Sequence, residues 1–282
     1  MITRDPSASP TQIRFGSRPV IAAAFVKRQE QDELFEAVFA RTEPRTVLTG
    51  MRGSGKTQLA AAVAARCEEE GWPLAAWINA ASRKHIIADL YELALRIGID
   101  APKNVPLEVI VQRLMDHLRS ANGSNSLFVF DNVENPDDLR DLIPEGAGVR
   151  TIITTTRHLD WDGPGWLRLT VGAFDREQSI SLLCERTGDT HREAADRIAD
   201  ALNNVPLAIT QAATTAKQGG CALSGYLDRL SNHPLESRTS RLEGASYPDA
   251  VGIALLMAYE QVLEQLRTKH PQQERIAVSL LG

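Results

Sequence analysis

Cysteine is scarce in this chain: Cys67, Cys184 and Cys221 are the only three among 282 residues, and they lie far apart. No two share the C-x-x-C spacing of a metal or redox site, so free thiols on apolar helix faces are expected. Such usage belongs to a reducing compartment, and the chain reads as cytoplasmic. The six histidines are scattered with no H-E-x-x-H spacing, which argues against a histidine-built metal centre. His158 follows an arginine and reads as a solvated loop residue. No serine, histidine and aspartate or cysteine and histidine arrangement suggests a nucleophile. No apolar run approaches the ~20 residues of a membrane span. The first seventeen residues hold Arg4, Asp5 and Arg14 but no apolar core, which excludes a secretory signal. Aromatics make up 5% of the chain. They do not interleave with Arg45, Arg52, Lys56, Arg66, Arg83 and Lys84, so these basic residues read as solvated faces. A net charge of −5 argues in the same direction, against a broad nucleic-acid footprint.

Hydrophobic residues at 43% and charged residues at 24% describe a globular protein able to bury a real core. The pattern that organises it is Gly50-Met51-Arg52-Gly53-Ser54-Gly55-Lys56-Thr57, a complete G-x-x-x-x-G-K-T loop. A short apolar run, Thr46-Val47-Leu48, precedes it as a buried strand. The alanine-rich run from Leu59 to Ala65 follows it as a helix. Glycines let main-chain N–H groups curl round an anion with no Cβ in the way. Lys56 adds a point charge for the terminal phosphates, Thr57 a hydroxyl for Mg²⁺, and the helix N-terminus favours negative charge. The chain therefore binds a nucleotide.

Residues 1–20 are polar and rich in breakers, a flexible lead-in. Further strands are expected at 74–78, 127–130, 151–156 and 167–171. Helical spacing separates them: Leu34, Val38 and Phe39; then Ile86, Leu90, Leu93, Ala94 and Ile97; then Leu107, Ile110, Leu114 and Leu118. Alternating strands and helices imply a doubly wound α/β fold with a parallel sheet of five strands. Beyond Phe174 strand signals stop, and four helices follow up to about residue 232. The expected division is a nucleotide-binding domain over 21–174 and a helical domain over 175–232. Residues 233–282 would be a hinge and a further domain cut short, because the chain stops inside an apolar segment.

Asp131 closes the apolar strand Leu127–Phe130. At the carboxyl edge of a parallel sheet its carboxylate faces the ligand side, where a hard oxygen suits Mg²⁺. The alternative is an aspartate that caps a turn. Arg157 ends the strand at 151–156 and offers a rigid fork of donors for a γ-phosphate; the alternative is a surface ion pair. That strand is expected between the strand of the glycine loop and the strand of Asp131. Glu134 either orients a water or is a solvated turn residue.

Taken in order, these motifs resemble the STAND-class P-loop ATPases of the NB-ARC type. Phe25-Val26-Lys27-Arg28 is similar to the motif that opens the family's nucleotide-binding domain, with Lys27 where glycine is usual. Gly50 to Thr57 resembles its Walker A motif, Phe128 to Val133 its Walker B block, and Ile153 to Arg157 its sensor strand. Asn203-Asn204-Val205-Pro206-Leu207-Ala208 resembles a G-L-P-L-A motif of the helical domain, with Asn204 in place of glycine. The likeness runs from about 25 to 230 and implies an AAA+-like architecture, a helical domain of the ARC1 kind and the start of a winged helix. It implies ADP or ATP with Mg²⁺ as ligands. Gly53, Ser54, Gly55, Lys56, Thr57 and Gln58 would hold the phosphates, and Thr57 and Asp131 the metal. Lys56, Asp131 and Arg157 would serve any hydrolysis. Pro206, with Leu207 beside it, would pack on adenine, and Val26 and Arg28 would flank it. Many members place a second acid after the Walker B aspartate; here it is Asn132, which cannot act as a base, so hydrolysis should be slow.

The resemblance further implies a signalling switch. ADP would hold a resting monomer, ATP would promote a homo-oligomer, and sensor or effector domains would lie elsewhere in a longer protein. An alternative is an AAA+-like motor or loader acting on DNA or protein. A small-molecule kinase is a third, for which the mixed-charge helices after Phe174 offer no basic lid.

Overall fold

The computed structural model describes residues 12–23, 25–40, 44–120, 124–157 and 165–232, together with 252, 254 and 256–258. The chain divides into two units. One runs to Gly50 and resumes over Lys56–Val171; the other holds Met51–Gly55 and the chain from Gly172 onward.

The first unit is built on β1 (Ile13–Phe15), β2 (Arg45–Thr49), β3 (Leu74–Asn79), β4 (Ser126–Val133), β5 (Val149–Thr155) and β6 (Trp166–Thr170). All pairings are parallel, in the order β1-β3-β4-β5-β2-β6. Helices α1 (Gln29–Phe39) and α2 (Lys56–Glu69) supply one apolar layer; α3 (Arg83–Arg96) and α4 (Leu107–Ser120) supply the other. The sheet divides its side chains by strand alternation. Leu48, Val129 and Ile152 join Leu34, Leu59 and Val63, whereas Val47, Phe128, Phe130 and Ile153 join Ile86, Leu90, Ile110 and Leu114. Because both faces are covered, these strands read as unbroken apolar or β-branched runs. Phe128 and Phe130 are fully buried, and truncating either to alanine would cost roughly 3–5 kcal/mol.

The sheet has six strands rather than the expected five. The extra one, β1, lies within the supposed lead-in and pairs with β3 through Ile13–Leu74 and Phe15–Ala76. Gly16 follows at φ +78°, and a Cβ there would sit 1.9 Å from the Trp77 carbonyl oxygen. Only glycine fits so close an approach. Arg14 and Arg18 pair with Glu68 in the last turn of α2 at 3.3 and 3.4 Å. The first eleven residues of that lead-in lie outside the described residues.

In the second unit, α5 (Arg176–Thr187), α6 (Arg192–Ala201), α7 (Pro206–Gln218) and α8 (Leu223–Asn232) pack on one another, α5 against α6 and α7, and α6 against α8. Asp175 and Gln178 form a reciprocal capping box, and Gly188 ends α5 at φ 75°. Ala195, Ala208, Ala212, Ile198, Leu183 and Tyr226 fill the core. The expected hinge and winged-helix start fall almost wholly outside the described residues; 252, 254 and 256–258 are helical.

Cys67 is buried and burial pushes its thiol pKa up, while Cys184 and Cys221 are half-buried. Among the described residues no helix is long and apolar enough to cross a membrane.

Candidate phosphate-loop site

The loop between β2 and α2 turns on three glycines at positive φ: Gly50 at 141°, Gly53 at 79° and Gly55 at 98°. L-residues avoid this region, and glycine adopts it at no steric cost. Ser54 is buried and its N–H donates to the Met51 carbonyl at 3.3 Å. Lys56, the first residue of α2, is buried, and its Nζ donates to the Gly50 carbonyl at 2.8 Å. That bond folds the ammonium back over the loop. The loop tip, Met51–Gly55, groups with the second unit, where the Leu207 N–H donates to the Gly53 carbonyl at 3.1 Å. Leu207 is the second residue of α7, so this bond satisfies one of the amides that a helix N-terminus leaves open.

Thr57 Oγ1 donates to Asp131 Oδ1 at 3.0 Å, joining the two residues assigned to the metal. Both lie on the α2 side of the sheet, since Asp131 shares strand parity with Val129. Asp131 also holds β3 in line: its carbonyl accepts from the Ala80 N–H at 2.9 Å. After Asp131 the strand bulges, and Asn132 stands exposed at φ 65°. Thr154, on β5 and within the sensor-strand motif but given no role of its own there, donates to Asp131 Oδ1 at 2.6 Å and accepts from the Asn132 N–H at 2.8 Å. Its parity with Ile152 is the one sequence signal that could have marked it.

Arg157 is exposed just past β5, and its N–H donates to Thr155 Oγ1 at 3.0 Å. As the sequence reading required, β5 lies between β4 and β2, so Asp131, Arg157 and the start of the loop share one sheet edge. Glu134 is exposed. His158 lies outside the described residues.

The Gln58 side chain is engaged on the chain that leads into α1. Its carboxamide accepts from the Ala22 N–H at 2.7 Å and donates to the Val20 carbonyl at 3.3 Å. It therefore clamps the chain leading into α1 onto the start of α2. In that leading segment Val26 is half-buried and Arg28 buried. Burial lowers the Arg28 pKa, opposed by Glu30 at 3.9 Å. Pro206 is buried at the first position of α7 and Leu207 is exposed, both in the second unit.

A cavity of about 550 Å³ lies elsewhere, near the amino end of β2, lined by Arg45, Arg119, Arg140, Met115 and Leu139 among others. Its arginines already have carboxylate partners, Arg45 with Glu145, Arg140 with Asp137 and Arg119 with Asp116.

No protein-family model matches the sequence, and no curated protein matches it. Solved structures do. A Walker-type ATPase of Pyrococcus abyssi superposes at a TM-score of 0.51 with 16% identity, over 92% of this chain and 80% of that one. The fold is that of the P-loop ATPases. The origin recognition complex of Drosophila, solved bound to DNA, shares this P-loop ATPase fold at a TM-score of 0.50 and 12% identity, over 81% of this chain and 67% of that one. A Signal Transduction ATPase with Numerous Domains (STAND) from Pyrococcus horikoshii, with a tetratricopeptide repeat sensor, aligns at 0.49 and 17% over 73% of this chain. This chain spans 31% of that protein's length.

Proposed function

We propose that the chain is a nucleotide-dependent signalling switch of the STAND class, NB-ARC type, resting with ADP and activated by ATP and Mg²⁺. The observation that carries this reading is the 3.0 Å pairing of Thr57 and Asp131 at the end of a loop with three positive-φ glycines. Hard oxygen donors beside an amide-lined turn suit a magnesium-bound polyphosphate. Thr57 and Asp131 would hold the metal, which neutralises charge on the terminal phosphate oxygens when bound. The amides of Gly53 to Lys56 and the Lys56 ammonium would hold the phosphates. Arg157 would report the γ-phosphate, while Pro206, Leu207, Val26 and Arg28 would contact the base. Gln58 would join the loop amides at the phosphates, while its side chain seats the leading segment. The nucleotide-binding domain would span 21–174 and the helical domain 175–232.

Asn132 supports slow hydrolysis, because an amide cannot take a proton from an attacking water. Turnover well above about one per second in the isolated chain, ordinary for dedicated enzymes, would contradict it. Switching requires differential affinity: moving a two-state equilibrium from 1:99 to 99:1 takes about 10⁴-fold preference for one state. The cytoplasm supplies both nucleotides, and ATP would drive a monomer to a homo-oligomer. The test is to denature freshly purified protein, identify the released nucleotide, and follow assembly by light scattering with ADP or ATP. Released ADP and ATP-dependent assembly are expected. A nucleotide-free protein that ignores ATP in calorimetry would end the reading.

A second reading is an AAA+-like ATPase motor or loader acting on DNA or protein. The fold shared with the DNA-bound origin recognition complex favours it. Stimulation of ATP hydrolysis by duplex DNA would decide for it.

A further inference from the structure

Four consecutive residues, Thr154 to Arg157, close β5 with three threonines that look interchangeable in sequence. The structure uses them differently. Thr155 Oγ1 accepts from the Arg157 N–H, and thus shapes the turn out of the strand. Thr151, earlier on β5, buries its Oγ1 with no hydrogen-bond partner among the described residues, so there the hydroxyl adds nothing that valine would not. Thr154 Oγ1 instead has a partner for its proton and one for a lone pair: Asp131 Oδ1 at 2.6 Å and the Asn132 N–H at 2.8 Å.

We propose that Thr154 is a positioning residue for the magnesium carboxylate. This inference rests on the nucleotide–magnesium reading of the loop. Asp131 Oδ1 is shared by two hydroxyls, Thr57 on the helix side at 3.0 Å and Thr154 on the neighbouring strand at 2.6 Å. When Thr57 turns its oxygen to a cation, the Thr154 bond remains and keeps the Asp131 carboxylate from rotating. The same hydroxyl anchors the left-handed Asn132 that follows at φ 65°. One side chain thereby fixes both the direction of the carboxylate and the turn that leads the chain away from it. Thr154 is buried and packed as a β-branched strand residue, so valine preserves its shape and removes only the hydroxyl.

The experiment titrates ADP and ATP into wild type, T154V and T154S, once with EDTA and once with Mg²⁺, and records each protein's melting temperature in EDTA. For T154V we expect unchanged affinity in EDTA and a magnesium-dependent gain reduced about 10- to 100-fold, the range for residues that orient a metal ligand. Serine keeps both hydrogen bonds, so T154S should retain the gain. A T154V protein with the full gain overturns the role of Thr154 and leaves the nucleotide reading standing. A wild type that binds neither nucleotide overturns both. Should T154V fail to fold, T154S decides alone: a folded T154S without the gain overturns the proposal.

Discussion

The Leu207 amide donates to the Gly53 carbonyl at 3.1 Å, and a Cβ added to Gly53 would stand 3.0 Å from the Leu207 Cβ. The loop tip and the first turn of α7 are therefore close enough that a methyl group on Gly53 would push Leu207 aside by a few tenths of an ångström. Gly53 also sits at φ +79°, where an L-residue pays roughly 1–2 kcal/mol. Gly53→Ala should weaken ADP binding about tenfold, a loss of ~1.4 kcal/mol, in calorimetric titration. Gly98→Ala is the control: its φ of +89° carries the same strain, but its Cβ meets nothing within 4 Å. It should lower the melting temperature without touching ADP affinity. Equal ADP affinity in Gly53→Ala and wild type would show that the loop tip does not bear on the nucleotide.

Asn132 occupies the position where the resembled family carries its second acid, and its φ of 65° is one that aspartate also tolerates. Asn132→Asp should fold normally and raise steady-state ATP turnover by about a hundredfold, the lower end of the ~10²–10⁴ that a general base contributes. Unchanged phosphate release would mean that the amide is not what limits hydrolysis.

Asp189 ties the helical unit together by accepting the His191 N–H at 2.9 Å and the Leu223 N–H at 2.8 Å, at the starts of α6 and α8. These amides, with the His191 ring, hold its pKa down at about 2, from 3.8. A depressed carboxylate stabilises the fold above its unfolded pKa, and that stabilisation fades as pH falls through its folded one. Asp189→Asn should melt a few degrees below wild type at pH 7, and the gap should close between about pH 4 and pH 2. A gap independent of pH in thermal melts would assign the loss to shape rather than charge.

Much of the fold was legible because β2 to β5 are covered on both faces, which forces unbroken apolar runs such as Leu127–Phe130. β1 was not. An edge strand of three residues, Ile13-Arg14-Phe15, needs only one neighbour and leaves no run to read. Thr57 stood out through motif spacing and Asp131 as the acid that closes an apolar strand; their side chains lie 3.0 Å apart. Thr154 did not stand out, since nothing in a row of threonines says which hydroxyl meets the carboxylate; that depends on the lateral register of β4 and β5. The side-chain partners of Gln58, Val20 and Ala22, were equally illegible, because they lie tens of residues upstream.

The central claim is that main-chain amides and one lysine hold a nucleotide phosphate tail at the start of α2. Calorimetric titration of ADP and ATP–Mg²⁺ into wild type and Lys56→Ala tests it most directly, with melting curves showing that both are folded. The account predicts binding by the wild type and a loss of at least about tenfold, ~1.4 kcal/mol, in the variant. Equal affinities in two folded proteins would contradict it.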